Sequence, residues 1–501
     1  MTHPLVNDDD IHLILAAEDC PPQDFERIHS FASSDDLIIR KLSAHGPVLL
    51  RGGRGSGKSA LMIEAHRRLR SSDTIFCAYV SLRHLPLLKS DGDEYINHFG
   101  KILSKSINKE LQERGQPAGF PDVVDELGIQ LALSDLSSSQ GKRIVLLFDD
   151  AAHIGREKPL EVFFDLFRTL SSNAVSCKAA IYPGVTKFGI RFDVYNDATV
   201  LDLNRSDVSK DSSYFYDVLS ARYPKLVKSA TYSDRLSSQI FSRLIARAVV
   251  GNMRAFVLTC NKFLDMEKIS VPSLNQTLIA MATDYYWPLM EEVKPKLGLY
   301  EPLIAPATEI FELLVSNVTK NMGSDTRTLA QDRVLIHRQL VSKFSKAFEI
   351  LEYLGFLSKR EASRGMKSGG RGPVFALNLC NIIEEMPSGR LTIDGIGQWV
   401  DGSLEPAEVH LSGQLFASVT LPNVLDGDEL KILRQDISVL KKSNAYPYGL
   451  TDDKIDRLRG AGINSVEELG DSSDKKLHTI FGIGEATVKR IRDVVHQAIW
   501  M

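Results

Sequence analysis

Cysteine is scarce in this sequence, with five thiols in 501 residues. Cys20, Cys77, Cys177, Cys260 and Cys380 lie far apart, with no Cys-x-x-Cys and no histidine at zinc-ligand spacing. Neither a disulfide frame nor a structural zinc site is suggested, and reduced, buried thiols are expected. Long apolar runs are lacking too: no stretch reaches the roughly eighteen residues that a membrane span needs. The acidic run Asn7 to Asp10 stands where a secretory signal would carry basic residues. A soluble, cytoplasmic protein with no membrane partner is expected. Charge of one sign is also missing, since a net charge of -4 offers no bulk attraction for phosphate polymers. Any nucleic-acid contact must therefore come from local patches. No repeat of solenoid period is present, and no nuclease, protease or deaminase signature.

What is present is ample core material: 43% hydrophobic and 25% charged residues describe a globular chain of two to four domains. After a lead-in at 1–34, apolar runs at Val48 to Leu50, Thr74 to Val80, Ile144 to Phe148, Lys178 to Tyr182 and Thr199 to Leu203 alternate with helix-like segments. That alternation predicts a parallel sheet covered by helices over 35–206. From 207 to 323 apolar residues recur at three-to-four spacing, as in Gln239 to Val250 and Pro302 to Asn317, and no further strand is predicted before the late 350s. Helices followed by a hairpin predict a winged-helix-like unit at 324–380. The stretch 381–448 reads as a connector, and 449–501 as a compact set of short helices broken by Gly460-Ala461-Gly462 and Gly482-Ile483-Gly484.

The chemistry is carried by Gly52-x4-Gly57-Lys58-Ser59, placed after a buried strand and before the helical run Ala60 to Leu69. A phosphate loop requires that context. Gly52, Gly53, Arg54, Gly55, Ser56, Gly57, Lys58, Ser59 and Ala60 form the candidate cradle for ATP, whose phosphates take backbone N–H groups at a helix start. Lys58 would neutralise the β and γ charges and Ser59 would place its hydroxyl on Mg2+. The alternative is a glycine-rich surface turn. The second half of the site is Ile144 to Phe148 followed by Asp149-Asp150. Asp149 would hold Mg2+ through water, and Asp150 would orient or deprotonate the attacking water. Without a phosphate loop upstream, such a run is an ordinary core strand meeting a polar loop.

These residues resemble the AAA+ ATPases, and within them the origin-recognition-like initiators and their bacterial relatives, over about Asp35 to Leu379. The resemblance implies an α/β P-loop NTPase with a parallel sheet of AAA+ type, followed by a helical lid and a winged helix. It implies ATP hydrolysis, DNA binding and homo-oligomers. Gly251-Asn252-Met253-Arg254 is similar to the sensor 2 of the lid, which would bring Arg254 to the γ-phosphate; a surface arginine at a helix start is the plainer reading. Arg191 fits the place of an arginine finger, with Arg205 second, and either is as readily a solvated side chain. The chain departs from the pattern in two places. Asp150 stands where these enzymes carry glutamate, and the strand ending Ile181-Tyr182-Pro183 lacks a polar sensor 1, Thr186 being the nearest substitute. A paired Asp also resembles the STAND signalling ATPases.

Two segments are candidates for contact with duplex DNA of weak sequence preference. In the wing, Lys359, Arg360, Arg364, Lys367 and Arg371 against Glu361 give 5 - 1 = +4, a stripe that would lie along phosphates or serve solubility alone. The segment Leu450 to Ile499 resembles a tandem helix-hairpin-helix, a small all-α domain in which Gly482 and Gly484 permit a turn whose N–H groups can take a phosphate oxygen. Lys489 and Arg490, with Arg492, would supply a basic face beside it, although Gly449 to Met501 carries a net charge of 8 - 9 = -1. Docking of a protein, including a companion effector, is the other reading of this module. The function expected is an ATPase with slow or regulated turnover whose nucleotide state controls assembly or DNA grip. The alternative is a STAND-like switch, of the kind used in anti-phage defence, that recruits a partner.

Overall fold

Short apolar strands separated by helix-length segments can pair in parallel, because each crossover has room for a helix. Five do so here: β1 (Val48–Arg51), β2 (Ile75–Ser81), β3 (Arg143–Ala152), β4 (Val175–Ile181) and β5 (Thr199–Asp202). Their order is β2-β3-β4-β1-β5, with every pair parallel. The computed structural model describes residues 6, 11–83, 92–152, 157–184, 188, 192–206, 213–233, 235–320, 329–367, 369–386, 390–401, 404–422, 431–443, 446 and 449–500.

Strand alternation divides the core into two layers. Along β3, Ile144, Leu146 and Phe148 face the helices Gly92–Glu113, Glu126–Gln140 and Glu157–Leu170, where Phe99, Phe163 and Phe167 pack around Phe148. Val145 and Leu147 face the other layer, with Ile39, Leu42, Leu61 and Met62 of the helices Ser33–Ser43 and Lys58–Leu69. Each fully buried large side chain contributes about 1.5–3 kcal/mol. This is an α/β architecture in which helices cover both faces of a parallel sheet. Since β1 lies between β4 and β5, the loop after it opens at the carboxyl edge of the sheet, where such folds bind ligands.

The helices Tyr214–Arg222, Ser238–Ala248, Met253–Asn261, Val271–Met281 and Ile304–Thr319 follow, and a second sheet packs on them. It consists of β6 (Leu329–Ile336), β7 (Leu357–Gly365), β8 (Arg371–Leu377) and β9 (Glu405–Val409), in the order β7-β8-β6-β9. The β7–β8 hairpin sits where a wing was expected. Two strands depart from the sequence reading. β6 precedes the late 350s and was hidden by Asp332 and Arg333, charges that interrupt its apolar pattern. Both are buried because Arg247 of the helix Ser238–Ala248 meets Asp332 at 2.6 Å. β9 lies in the stretch read as a connector and pairs in parallel with β6. Trp399, Phe416 and Val419 from that stretch join the same core as Phe241, Phe256 and Phe311, so the helical lid and the second sheet share one hydrophobic interior.

The last helices, Asp452–Gly460, Val466–Asp471, Asp474–His478 and Glu485–Trp500, enclose a separate core. Leu450, Leu458, Val466, Leu469 and Leu477 meet there, with Ile480 at its margin. All five cysteines are free and buried. Among the described residues no helix is long and apolar enough to cross a membrane.

Candidate nucleotide site

A loop that turns its N–H groups inward needs residues able to adopt positive φ, and here Gly55 and Gly57 do so, at 78° and 97°. Gly57 caps the helix Lys58–Leu69, so the positive end of that helix opens onto the loop. Lys58 is 6% exposed, and its Nζ donates to Gly52 O at 2.8 Å and to Gly53 O at 3.0 Å. The same ammonium lies 3.8 Å over the ring of Tyr182, at the end of β4. Burial pulls the Lys58 pKa down, against the nearby charges of Asp149 and Asp150.

Asp149 ends the regular part of β3 and is 1% exposed. It accepts from Tyr79 Oη at 2.6 Å and from the Asp150 N–H at 3.0 Å, and Ser59 also hydrogen-bonds it. The structure therefore brings together Lys58, Ser59, Asp149 and Asp150, from positions about ninety residues apart. Asp150 takes a left-handed φ of 52°, where the register between β3 and β4 shifts after Phe148. That backbone costs an L residue about 1–2 kcal/mol. Burial raises the pKa of both aspartates, and each is further raised by Glu18.

Sequence reasoning missed Glu18. It sits in the short turn Ala17–Asp19, and its carboxylate oxygen lies within 4.8 Å of those of Asp149 and Asp150. The strap that carries it is tied to the lid by Arg222, which donates to Ile11 O and Ile14 O, and by Asn261, which donates to His12 O. Ile11, Cys20, Phe25 and Ile28 pack against Ala60 and Ile63 of the helix after the loop. Nothing in a single sequence marks a lone glutamate 131 positions before Asp149 (149 - 18) as its neighbour. Three carboxylates and the Ser59 hydroxyl form the hard oxygen donor set that suits Mg2+.

The lid reaches the loop through Asn252 and Arg254. Asn252 caps the helix Met253–Asn261 and donates from Nδ2 to Arg54 O at 2.7 Å, while the Arg254 N–H donates to Gly55 O at 3.2 Å. Arg254 Nε is buried and has no hydrogen-bond acceptor. Gly251, with φ of 75°, is required by packing, because a Cβ there would lie 2.3 Å from Arg205 O. Arg205, the second candidate for a finger, is 7% exposed, bonds Asp35 at 2.8 Å and lies over the Tyr214 ring, so it points inward. Arg191 and Thr186 fall outside the described residues.

The wing cations are placed differently from a free basic stripe. Arg364 bonds Glu361 and Glu405, Arg371 Nε donates to Ser363 Oγ, and the Lys367 N–H donates to Glu408. Glu405 and Glu408 lie on β9, which the sequence reading did not foresee, and they bring the local balance to 5 - 3 = +2. Lys359 and Arg360 line a cavity of about 230 Å3 between β7, the phosphate loop and the end of β5. In the last module, Gly482 takes φ of 81° and Arg457 donates to Phe481 O at 2.8 Å, fixing the turn. Phe481 is 86% exposed, and Lys489 and Arg490 on the helix Glu485–Trp500 are exposed too. Arg492 instead turns inward to Asp474 and Gly470 O, so the basic face there has two members.

No family model matches this sequence, and no curated protein matches it. Solved structures share parts of the arrangement at low identity. Cdc6p from Pyrobaculum aerophilum is 12% identical, with 80% of this chain and 100% of that one aligned at a TM-score of 0.32. The Orc1 protein of Aeropyrum pernix, determined in complex with DNA, is 12% identical over 80% of this chain and 98% of its own, at 0.32. A Walker-type ATPase of Pyrococcus abyssi is 11% identical over 70% and 94%, at 0.42.

Proposed function

We propose that this chain is a nucleotide-dependent switch that binds ATP with Mg2+ and hydrolyses it slowly. The observation that carries this reading is the meeting of Lys58, Ser59 and Asp149 at the carboxyl edge of a parallel sheet, under a loop with two left-handed glycines. Lys58 exchanges its loop carbonyls for the β and γ oxygens, and the N–H groups of residues 53–59 hold the same phosphates. Ser59 and Asp149 would hold Mg2+, with Glu18 beside them, and the ion would supply charge neutralisation there. Asp150 orients the attacking water and accepts its proton. Its side chain is one methylene shorter than a glutamate, which favours slow turnover. Arg254 reads the γ-phosphate from the lid, and Arg191 is the candidate finger toward a neighbouring copy in a homo-oligomer.

The output proposed first is grip on duplex DNA, through Gly482, Gly484, Lys489 and Arg490 and through Lys359, Arg360, Arg364, Lys367 and Arg371. The internal pairing of Arg364 with Glu361 and Glu405 favours a second reading, in which the switch recruits a protein partner in the manner of the STAND ATPases. A salt-dependent gel shift separates them. DNA binding that falls in Lys489→Ala/Arg490→Ala and in Lys359→Ala/Arg360→Ala supports the first output, and no binding at low salt rejects it. ATP turnover in the wild type, absent in Lys58→Ala, tests the nucleotide site itself.

A further inference from the structure

The last carbonyls of a helix carry partial negative charge, and a phosphate loop is shaped to receive negative charge. In this chain the two are joined. The helix Ser345–Leu354 leads into β7 and ends at left-handed Gly355, with φ of 81°. The Arg54 N–H of the phosphate loop donates to Tyr353 O at 3.0 Å. A Cβ on Gly53 would lie 2.8 Å from Glu352 O, so the backbones meet only because residue 53 has no side chain. Tyr353 meets Tyr182 edge-on at 5.1 Å, and Tyr182 is the ring beneath Lys58. From the other end of the helix, Lys346 Nζ donates to Gly184 O at 2.5 Å.

Resting on the nucleotide site proposed above, we infer that this helix end is a latch on the phosphate loop that opposes nucleotide binding. The carbonyls of Glu352 and Tyr353 place negative partial charge beside the loop that a polyphosphate must enter. Lys58, the cation that would offset both, is held by Gly52 O and Gly53 O, the second of which belongs to the residue under the latch. A polyphosphate draws Lys58 away from those carbonyls and sets its own charge against the helix end. The helix does not melt in response, because Ala347, Phe348, Ile350, Leu351 and Leu354 are part of the core shared by the lid and the second sheet. The whole body moves. A cavity of about 230 Å3 beside the latch, with Arg51, Asp202, Arg205, Glu349, Lys359 and Arg360 among its lining, leaves room at this junction for the body to shift. Linkage is reciprocal, so whatever loosens the latch tightens nucleotide binding.

The test uses the full chain and the non-hydrolysable analogue AMPPNP with Mg2+. Lys346→Ala and Tyr353→Ala each remove a side-chain contact that seats the helix end, leaving every residue of the phosphate loop unaltered, and each is expected to bind AMPPNP about fivefold tighter than wild type. Spin labels at Ser71→Cys on the sheet domain and Thr283→Cys on the helical body are expected to show a changed distance when AMPPNP is added to the otherwise wild-type chain. Wild-type or weaker affinity in both variants overturns the latch, as does an unchanged label distance. If the wild type does not bind AMPPNP at all, the nucleotide reading fails first. If it binds and neither readout moves, the latch alone is wrong.

Discussion

Replacing Asp332 by alanine should be among the most damaging single changes outside the site. Asp332 Oδ2 meets Arg247 Nε at 2.6 Å and its Oδ1 meets Arg333 Nε at 3.2 Å, with all three side chains 6–7% exposed. Burial already pulls the Arg333 pKa down, and Asp332 is the charge that opposes this shift. Removing the carboxylate leaves two guanidinium groups in a low-dielectric interior, and breaking a buried pair in this way costs about 3–5 kcal/mol. Against a typical total of roughly 5–15 kcal/mol, that is a large share. The pair joins β6 to the helix Ser238–Ala248, so the loss falls on the body formed by the lid and the second sheet. Calorimetric unfolding of wild type and Asp332→Ala, followed with far-UV circular dichroism, measures it. Arg247→Met combined with Asp332→Leu should recover part of the loss, since fewer charges are then buried unpaired. A destabilisation below about 1 kcal/mol in Asp332→Ala would refute the assignment of this pair as the electrostatic tie of β6.

Gly251→Ala should lower both stability and nucleotide affinity, because a Cβ 2.3 Å from Arg205 O and a left-handed backbone together displace Asn252 and Arg254 from the loop; the strain is about 1–3 kcal/mol, read by thermal unfolding and by AMPPNP titration. Tyr79→Phe removes a hydrogen bond that lowers the Asp149 pKa, so the carboxylate is protonated more easily. Mn2+ titration of the nucleotide-free variant should show weaker binding at pH 7 that recovers toward pH 9, and an unaltered pH profile would count against Asp149 as a ligand. His29 is pushed down to about 4 by burial, its Nδ1–H donating to Phe25 O. The folded state disfavours the proton, so stability is full above about pH 6.5 and falls by up to about 3 kcal/mol as the pH drops toward 4. His29→Gln should flatten that part of the urea-denaturation pH profile.

The parts of this protein that were legible from sequence are those in which neighbours in space are neighbours in sequence. The strand, glycine loop and helix at Val48 to Leu69 were legible because they form one continuous segment, and the strand at Ile144 to Asp150 was legible because an apolar run ends in two acids. The parallel sheet followed from alternation alone. β6 was not legible, because Asp332, which pairs with its neighbour Arg333, is also bound by Arg247 from 85 residues away (332 - 247). Glu18 was hidden for the same reason, since its site is assembled by a strap that Arg222 and Asn261 hold. The wing illustrates the opposite error. Its charge sum was correct along the chain, but β9 supplies Glu405 and Glu408 across the sheet, and a count along one segment cannot see them. Docking of the helix Ser345–Leu354 on Gly53 likewise leaves in the sequence only a glycine that the loop would carry for other reasons.

The central claim, that Lys58, Ser59 and Asp149 form a working nucleotide site, is tested most directly by Mg2+-dependent release of phosphate from ATP, measured with and without duplex DNA. Wild type is expected to turn over slowly. Lys58→Ala should lose both binding and turnover, and Asp150→Asn should keep binding while losing turnover. Equal hydrolysis by wild type and Lys58→Ala would contradict the account.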